Sequence, residues 1–343
     1  MHRITRLLAG VAMLLAPLAA LFLGGGTALA ATCSPAGTTG LTAAIVATGA
    51  QYITGTIDAT GCDIGIYVGP SGAGTIISFA NVSNAGVHGI LIQDTSNVQV
   101  RFSTVSNNAP GGETFPETKA IQAEGSRNVA IVRNTVTDNG GGGIAITDDG
   151  PFNPGAPNAG SLHPGYGDVV AYNFIQDNTN GCGLVVSAYN PGAGVSGNLV
   201  DHNTVVNNPA AGIVIAADAP NTTATNNSVT NNTSAYNGYA GIIVHSNAPG
   251  DVVSNTLVQN NIVHNNGGRM LQDSVQAQLL APLPGSFGII VSAPGGAGTI
   301  LMTYVSVNQI SNEYTGIGHS DDVLTIIAGN GYSNVVIPVG FGV

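Results

Sequence analysis

Gly212-Ile213-Val214-Ile215, followed 29 residues later by Gly241-Ile242-Ile243-Val244, is the stretch whose reading decides the fold. The same phrase, a glycine opening an apolar strand, stands at Gly89-Ile90-Leu91-Ile92, Gly143-Ile144-Ala145-Ile146, Gly183-Leu184-Val185-Val186 and Gly288-Ile289-Ile290-Val291. Degenerate copies occur at Ala120-Ile121 and Gly316-Ile317. Successive starts lie 31, 23, 40, 29, 29, 47 and 28 residues apart, so a shortest period of 23 is stretched by insertions. A recurrence of this length marks a solenoid, in which each repeat buries its apolar face only by stacking on the next.

Between the glycine starts runs a second phrase, Asn-x-apolar-x-Asn/Asp-Asn, at Asn134 to Asn139, Asn173 to Asn178, Asn203 to Asn208, Asn227 to Asn232 and Asn261 to Asn266. Weaker versions are Ser103 to Asn108 and Asn308 to Glu313. Asn tolerates left-handed backbone and carries both a donor and an acceptor, so the same Asn in successive coils can bond the coils above and below. Asn173, Asn203, Asn227 and Asn261 are read as one such column. Each repeat then consists of two or three short strands, paired in parallel with their counterparts and wound right-handed.

On these phrases the chain resembles the right-handed parallel β-helix family with the pectin-lyase-like fold, over roughly residues 60 to 340. The resemblance implies an all-β solenoid and a polysaccharide ligand. It leaves the reaction open, because that fold carries lyases, hydrolases, epimerases, tailspikes and non-catalytic adhesins. The Asp-Pro-His type signature of the family's epimerases is missing from this chain.

Residues 1–30 read as a signal peptide: Arg3 and Arg6 precede an apolar run from Leu7 to Leu23, and Ala28-Leu29-Ala30 supplies the small-x-small cleavage pattern. No later apolar run is long enough to insert in a membrane. Loss of Arg3 and Arg6 takes seven basic residues to five against 18 acidic ones, a charge of −13, which disfavours nucleic acid and anionic membrane as partners. The expectation is a secreted, monomeric protein. Residues 31–64 are read as an N-terminal cap, with helix-compatible spacing over Gly40 to Ala47 and an alternating strand from Tyr52 to Asp58; residues 65–343 form the solenoid proper. An oxidising destination makes Cys33 with Cys62 the expected disulfide, leaving Cys182 as a small buried side chain.

Insertions are expected at Ala109 to Thr118, Asp149 to Gly167 and Gly267 to Ser286, the last with a short amphipathic helix over Met270 to Leu280. Solenoid insertions commonly carry the function. The candidate chemistry is acidic: Asp94, Glu124 and the pair Asp148-Asp149 close three consecutive glycine strands at offsets 5, 4, 5 and 6. At ~4.8 Å per rung, Asp94 and Asp148 would stand ~9 to 10 Å apart, with Glu124 between them. Such spacing suits two carboxyls acting on a glycosidic bond, or acids gathering Ca²⁺ through Asp94, Glu124 and Asp148. Arg127 and His163 lie on the same coils and complete the candidate catalytic set. The competing expectation is a non-catalytic structural or adhesive solenoid.

Overall fold

The computed structural model describes residues 32–112, 118–150, 162–267, 286–294, 298–320 and 323–342. The expected signal peptide and the Met270 to Leu280 helix lie outside the described residues. Each glycine phrase is a strand, and these strands stack in parallel in chain order: Ile64–Val68, His88–Gln93, Lys119–Glu124, Gly142–Thr147, Leu184–Ala188, Ile213–Ala217, Ala240–Ser246 and Phe287–Ser292. Three-residue strands such as Leu199–Asp201 and Thr204–Val206 build two further ladders, so the coil is a prism with parallel walls. From Gly165–Tyr166 onward a fourth wall appears, continued by Val195–Ser196, Thr223–Thr225, Val252–Ser254 and Thr299–Leu301. The coil is therefore one strand richer than the two or three expected.

The core follows from residue type and pleat. In one ladder of short strands the inward side chain is Val or Ile in coil after coil: Val100, Ile131, Val170, Val200, Val229, Val258 and Val305, all buried. Identical β-branched side chains stack at the rung spacing, the arrangement their stiff χ1 favours. The glycine strands are buried on both faces, with Ile144 and Ile146 in the main core and Ala145 in a separate cluster with Val185, Val214, Ile243 and Ile290.

Corners are turned by a left-handed residue followed by a buried Asn. His202 has φ +53° and precedes Asn203; Asn207 has φ +55° and precedes Asn208. Asn203 Oδ1 accepts the Asn173 backbone N–H at 3.0 Å, and its Nδ2 donates to Val170 O at 2.8 Å and to Asn232 Oδ1 at 3.0 Å. The partner of Asn203 in the next coil is thus Asn232, and Asn227 belongs to a third column headed by Asp168 and Asn198. The expected single column is corrected by one corner. Asn198, Asn203 and Asn208 follow one another every five residues, so a phrase that slides by five still reads as a match.

The expected N-terminal capping helix is also corrected. Thr42–Val46 is a strand, antiparallel to Ser34–Pro35 and parallel to Ile64–Val68 through Ala43↔Ile64 and Ile45↔Ile66. Helix-compatible spacing loses here because the edge of the first coil offers a full set of backbone partners, which a helix would leave unpaired. Among the described residues the helical segment is a single 3₁₀ turn, Pro70–Gly72. Cys33 and Cys62 are joined, with Cα atoms 5.5 Å apart, which ties the cap to the turn before Ile64–Val68; Cys182 is buried outside that bridge. No described helix is long and apolar enough to cross a membrane.

Candidate functional site

Register decides which of the predicted acids meet. On the outward face of the glycine-strand sheet, Gln93 pairs with Glu124 and Glu124 with Thr147, each four residues after its coil's glycine position. Asp94 follows Gln93 with φ +50°, a left-handed turn that swings its side chain back over this face. Gly125, at the same place in the next coil, has φ +55°, and a Cβ there would stand 2.7 Å from Asp149 Cβ and 2.8 Å from both Asp94 Oδ1 and His163 Cβ. The missing side chain is what lets these three groups converge. Asp149 and His163 exchange backbone hydrogen bonds, Asp149 N to His163 O at 2.8 Å and the reverse at 3.0 Å, closing the base of the excursion between them.

The result is one connected cluster. His163 Nδ1 lies 2.6 Å from Asp94 Oδ1, with the imidazole 35% exposed and the carboxylate 4%. Asp94 and Asp149 share a hydrogen bond. Gln93 Nε2 donates to Glu124 Oε2 at 3.2 Å and to Asp149 Oδ2 at 3.3 Å, while Tyr67 Oη donates to Gln93 Oε1 at 3.3 Å. Asp94 and His163 line an open cleft of about 630 Å³, whose rim includes Thr95, Arg127, Leu162 and Tyr166. Arg127 is exposed there, bridged in backbone register between Ser96 and Tyr166.

Burial and crowding set the protonation. Burial first, then the charges of Asp149, Asp94 and Asp148, push the Glu124 carboxyl well above the ordinary range. Burial followed by the Asp94 charge moves Asp149 up to about 7. Tyr67 is pushed up to about 12 by burial and by the three carboxyls. The buried carboxyls behind the Asp94–His163 contact are thus held in the protonated form more readily than ordinary acids, a split of roles imposed by environment.

Asp148 goes elsewhere. Its carboxylate accepts the backbone N–H of Tyr189 at 2.8 Å, of Asn190 at 3.2 Å and of Gly194 at 2.8 Å, with Asn190 Nδ2 at 3.1 Å. Burial raises its pKa and these donors oppose the rise. The expected Asp94 to Asp148 pair across a sugar is thus replaced by an Asp94–Asp149 contact at hydrogen-bond range. Of the carboxyls expected to gather calcium, Asp148 accepts backbone amides and Glu124 accepts from Gln93, and among the described residues no three or more His, Cys, Asp or Glu side chains are arranged to hold a metal. Gln93 and Tyr67 were missed by a search for charge. Aligning the coils on their glycines and reading offset four would have placed Gln93 with Glu124.

A prism of parallel strands wound coil on coil is the architecture of a right-handed parallel β-helix. The chain belongs to the right handed beta helix region family, whose model matches residues 43–229. No curated protein sequence matches it. Among solved structures it is similar to a periplasmic alginate epimerase AlgG, at 15% identity, covering 86% of this chain and 68% of that one with a TM-score of 0.58. It is also similar to the Streptococcus pneumoniae surface protein and adhesin PfbA, at 14% identity over 81% and 69% with a TM-score of 0.55. A tailspike protein of an E. coli bacteriophage in complex with a pentasaccharide matches at 10% identity over 82% of this chain and 47% of that one, TM-score 0.50. At these identities the likeness is one of fold.

Proposed function

We propose that this protein processes an extracellular polysaccharide by acid–base chemistry at the cleft lined by Asp94 and His163, with Asp149 and Glu124 buried behind them. The observation that carries the reading is the imidazole of His163, its Nδ1 held 2.6 Å from buried Asp94 while the ring stays partly open to the cleft. A carboxylate holding one ring nitrogen orients the other as a proton acceptor, the general-base arrangement. Asp149, with a pKa of about 7, is the proton donor behind it, and Arg127 is the rim cation that meets an anionic or hydroxyl-rich substrate. Glu124, kept neutral, maintains the acidity of the pair without adding charge. Action outside the cytoplasm is supported by the Cys33–Cys62 disulfide and by relatives whose names place them in the periplasm or on a cell surface.

The test is a panel of neutral and uronate polysaccharides, scored for new reducing ends and for the ultraviolet absorbance of unsaturated products. His163→Ala and Asp149→Asn each reduce turnover by roughly 10² to 10⁴-fold. Because Asp149 must carry its proton, turnover falls as pH rises through about 7. Turnover that survives both substitutions overturns the assignment. The adhesive alternative draws on one feature, an exposed row of stacked rings along a corner, Phe79, Phe102, Tyr172 and His202; saturable binding without turnover anywhere in the panel assigns the protein to it.

A further inference from the structure

At the centre of the acidic cluster stands an uncharged side chain, Gln93, only 1% exposed. Its Oε1 accepts from Tyr67 Oη at 3.3 Å, while Nε2 donates to Glu124 Oε2 at 3.2 Å and to Asp149 Oδ2 at 3.3 Å. An amide turned the other way would set an acceptor against two carboxyl oxygens. The phenol that selects this orientation has a seat of its own. A Cβ on Gly69 would stand 2.6 Å from Tyr67 Oη and one on Gly37 2.7 Å, so the hydroxyl fills a slot kept open by two missing side chains. Tyr67 packs there with Ala36, Ile64 and Leu91, and Ala36 and Gly37 belong to the cap tied by the Cys33–Cys62 bridge.

Asp149 is thereby held at three points. Oδ2 accepts from Gln93, Oδ1 accepts the Gly150 N–H at 2.6 Å, and the carboxyl shares a hydrogen bond with Asp94. Two carboxyls share such a bond only through a proton. N–H donors on both Asp149 oxygens fix the plane of its carboxyl, and with it the place of that proton next to the Asp94–His163 contact.

We infer that Gln93 is a positioning residue of the acid–base cluster: its amide, oriented by Tyr67, holds the Asp149 carboxyl against Asp94 with the shared proton between them. Buried as it is, Gln93 acts through the acids and touches no substrate. This inference rests on the acid–base reading of the cleft and adds to it the pair of uncharged residues that places the proton.

The test reads the titration of Asp149 in the full chain, labelled with carbon-13 in the aspartate side-chain carboxyls, its resonance identified by its loss in Asp149→Asn. The parent midpoint lies at about 7, set by burial and by the charges of Asp94 and Asp148. Glu124, Tyr67 and His163 are the other titratable groups that face it. Gln93→Met keeps the bulk and removes a donor to the ionised form, so the midpoint rises, by about one pH unit. Tyr67→Phe keeps the ring in its slot and frees the amide to turn, giving a smaller rise; it carries the test alone where Gln93→Met does not fold, as judged by melting. On a polysaccharide that the parent turns over, the loss of turnover at high pH moves up with the midpoint. There kcat falls about tenfold with KM unchanged, because the proton is misplaced while the cleft is intact. A role in packing alone lowers the melting temperature and leaves the midpoint in place. A midpoint that stays or falls in the folded variants therefore overturns the inference, as does a rise in KM with kcat unchanged. A raised midpoint in a protein that turns over nothing in the panel upholds the placing of the proton and removes the polysaccharide reading instead.

Discussion

At the residue scale the buried Asn columns connect coil to coil, and their energetics are those of satisfied amides. Replacing Asn203 by Leu strands the Asn173 N–H and the Val170 carbonyl in the interior. The expected cost is about 1–3 kcal/mol, measured by denaturant unfolding with the slope unchanged; an unaltered midpoint would mean that the corner does not depend on its side chain. Asp168 tests the same column from the other side. It accepts the Val129 N–H at 2.7 Å where later coils use Asn198 and Asn227, but its Oδ2 is buried without a partner, where Asn198 donates Nδ2 to Gly165 O. Burial pushes its pKa up to about 8 from 3.8. A carboxyl with a raised folded-state pKa contributes stability that is fully present below about 3.8 and lost as pH rises through about 8. Asp168→Asn therefore stabilises the fold by about 1–3 kcal/mol near pH 8 and by little near pH 4. Melting curves across that range check both the sign and the window.

At the scale of the element, one corner exposes what a soluble protein ordinarily hides. Phe79, Phe102, Arg133, Tyr172 and His202 occupy the same left-handed position in successive coils, with φ of +54°, +50°, +59°, +57° and +53°. Their side chains stack outside the prism: Phe79 on Phe102 at 5.3 Å, Arg133 between Phe102 at 5.7 Å and Tyr172 at 5.5 Å, and Tyr172 on His202 at 4.8 Å. A left-handed non-glycine residue costs roughly 1–2 kcal/mol, and the stacking offsets that cost ring by ring. Arg133→Ala keeps the backbone cost and loses both ring faces, a destabilisation of about 1–2 kcal/mol. A double-mutant cycle with Tyr172→Ala resolves the coupling, and additive effects would reduce the stack to coincidence of spacing. The cap is a second element with its own test. With Cys33 and Cys62 joined, alkylation of the unreduced protein modifies Cys182 alone, and only after unfolding. Cys33→Ser with Cys62→Ser costs about 2–4 kcal/mol.

At the scale of the whole molecule the coil is the unit of stability. Residues 213–241 make one complete coil of 29 residues, since Ile213 pairs with Ile242 and Asn203 with Asn232. Deleting them joins Gly212 to Ile242 and lets the Asn203 column meet Asn261 directly. Nearest-neighbour stability in a solenoid predicts a folded protein one rung shorter, about 4.8 Å by small-angle scattering, with cooperative melting retained.

Periodicity was enough to read the prism from the residues: the glycine phrase, the inward Val and Ile of Val200 and Val229, and the buried Asn each repeat because every coil meets the same neighbours. The cysteine pair was legible for a different reason, the oxidising destination expected of an exported chain. The site was legible only in outline. Asp94, Glu124, Asp149 and His163 stand out as charges on adjacent coils, but whether they converge depends on a sign of φ at Asp94, a missing side chain at Gly125 and the return of the chain at His163. Asp148, one residue from Asp149, is turned by the same pleat into the amides of Tyr189 and Gly194. The helix-compatible cap became a strand because the open edge of the first coil outweighed local spacing. Repetition along a solenoid is written into the chain because each coil faces an equivalent neighbour; convergence of side chains from separate coils is set by register and corner geometry, and these exist only once the coils are stacked.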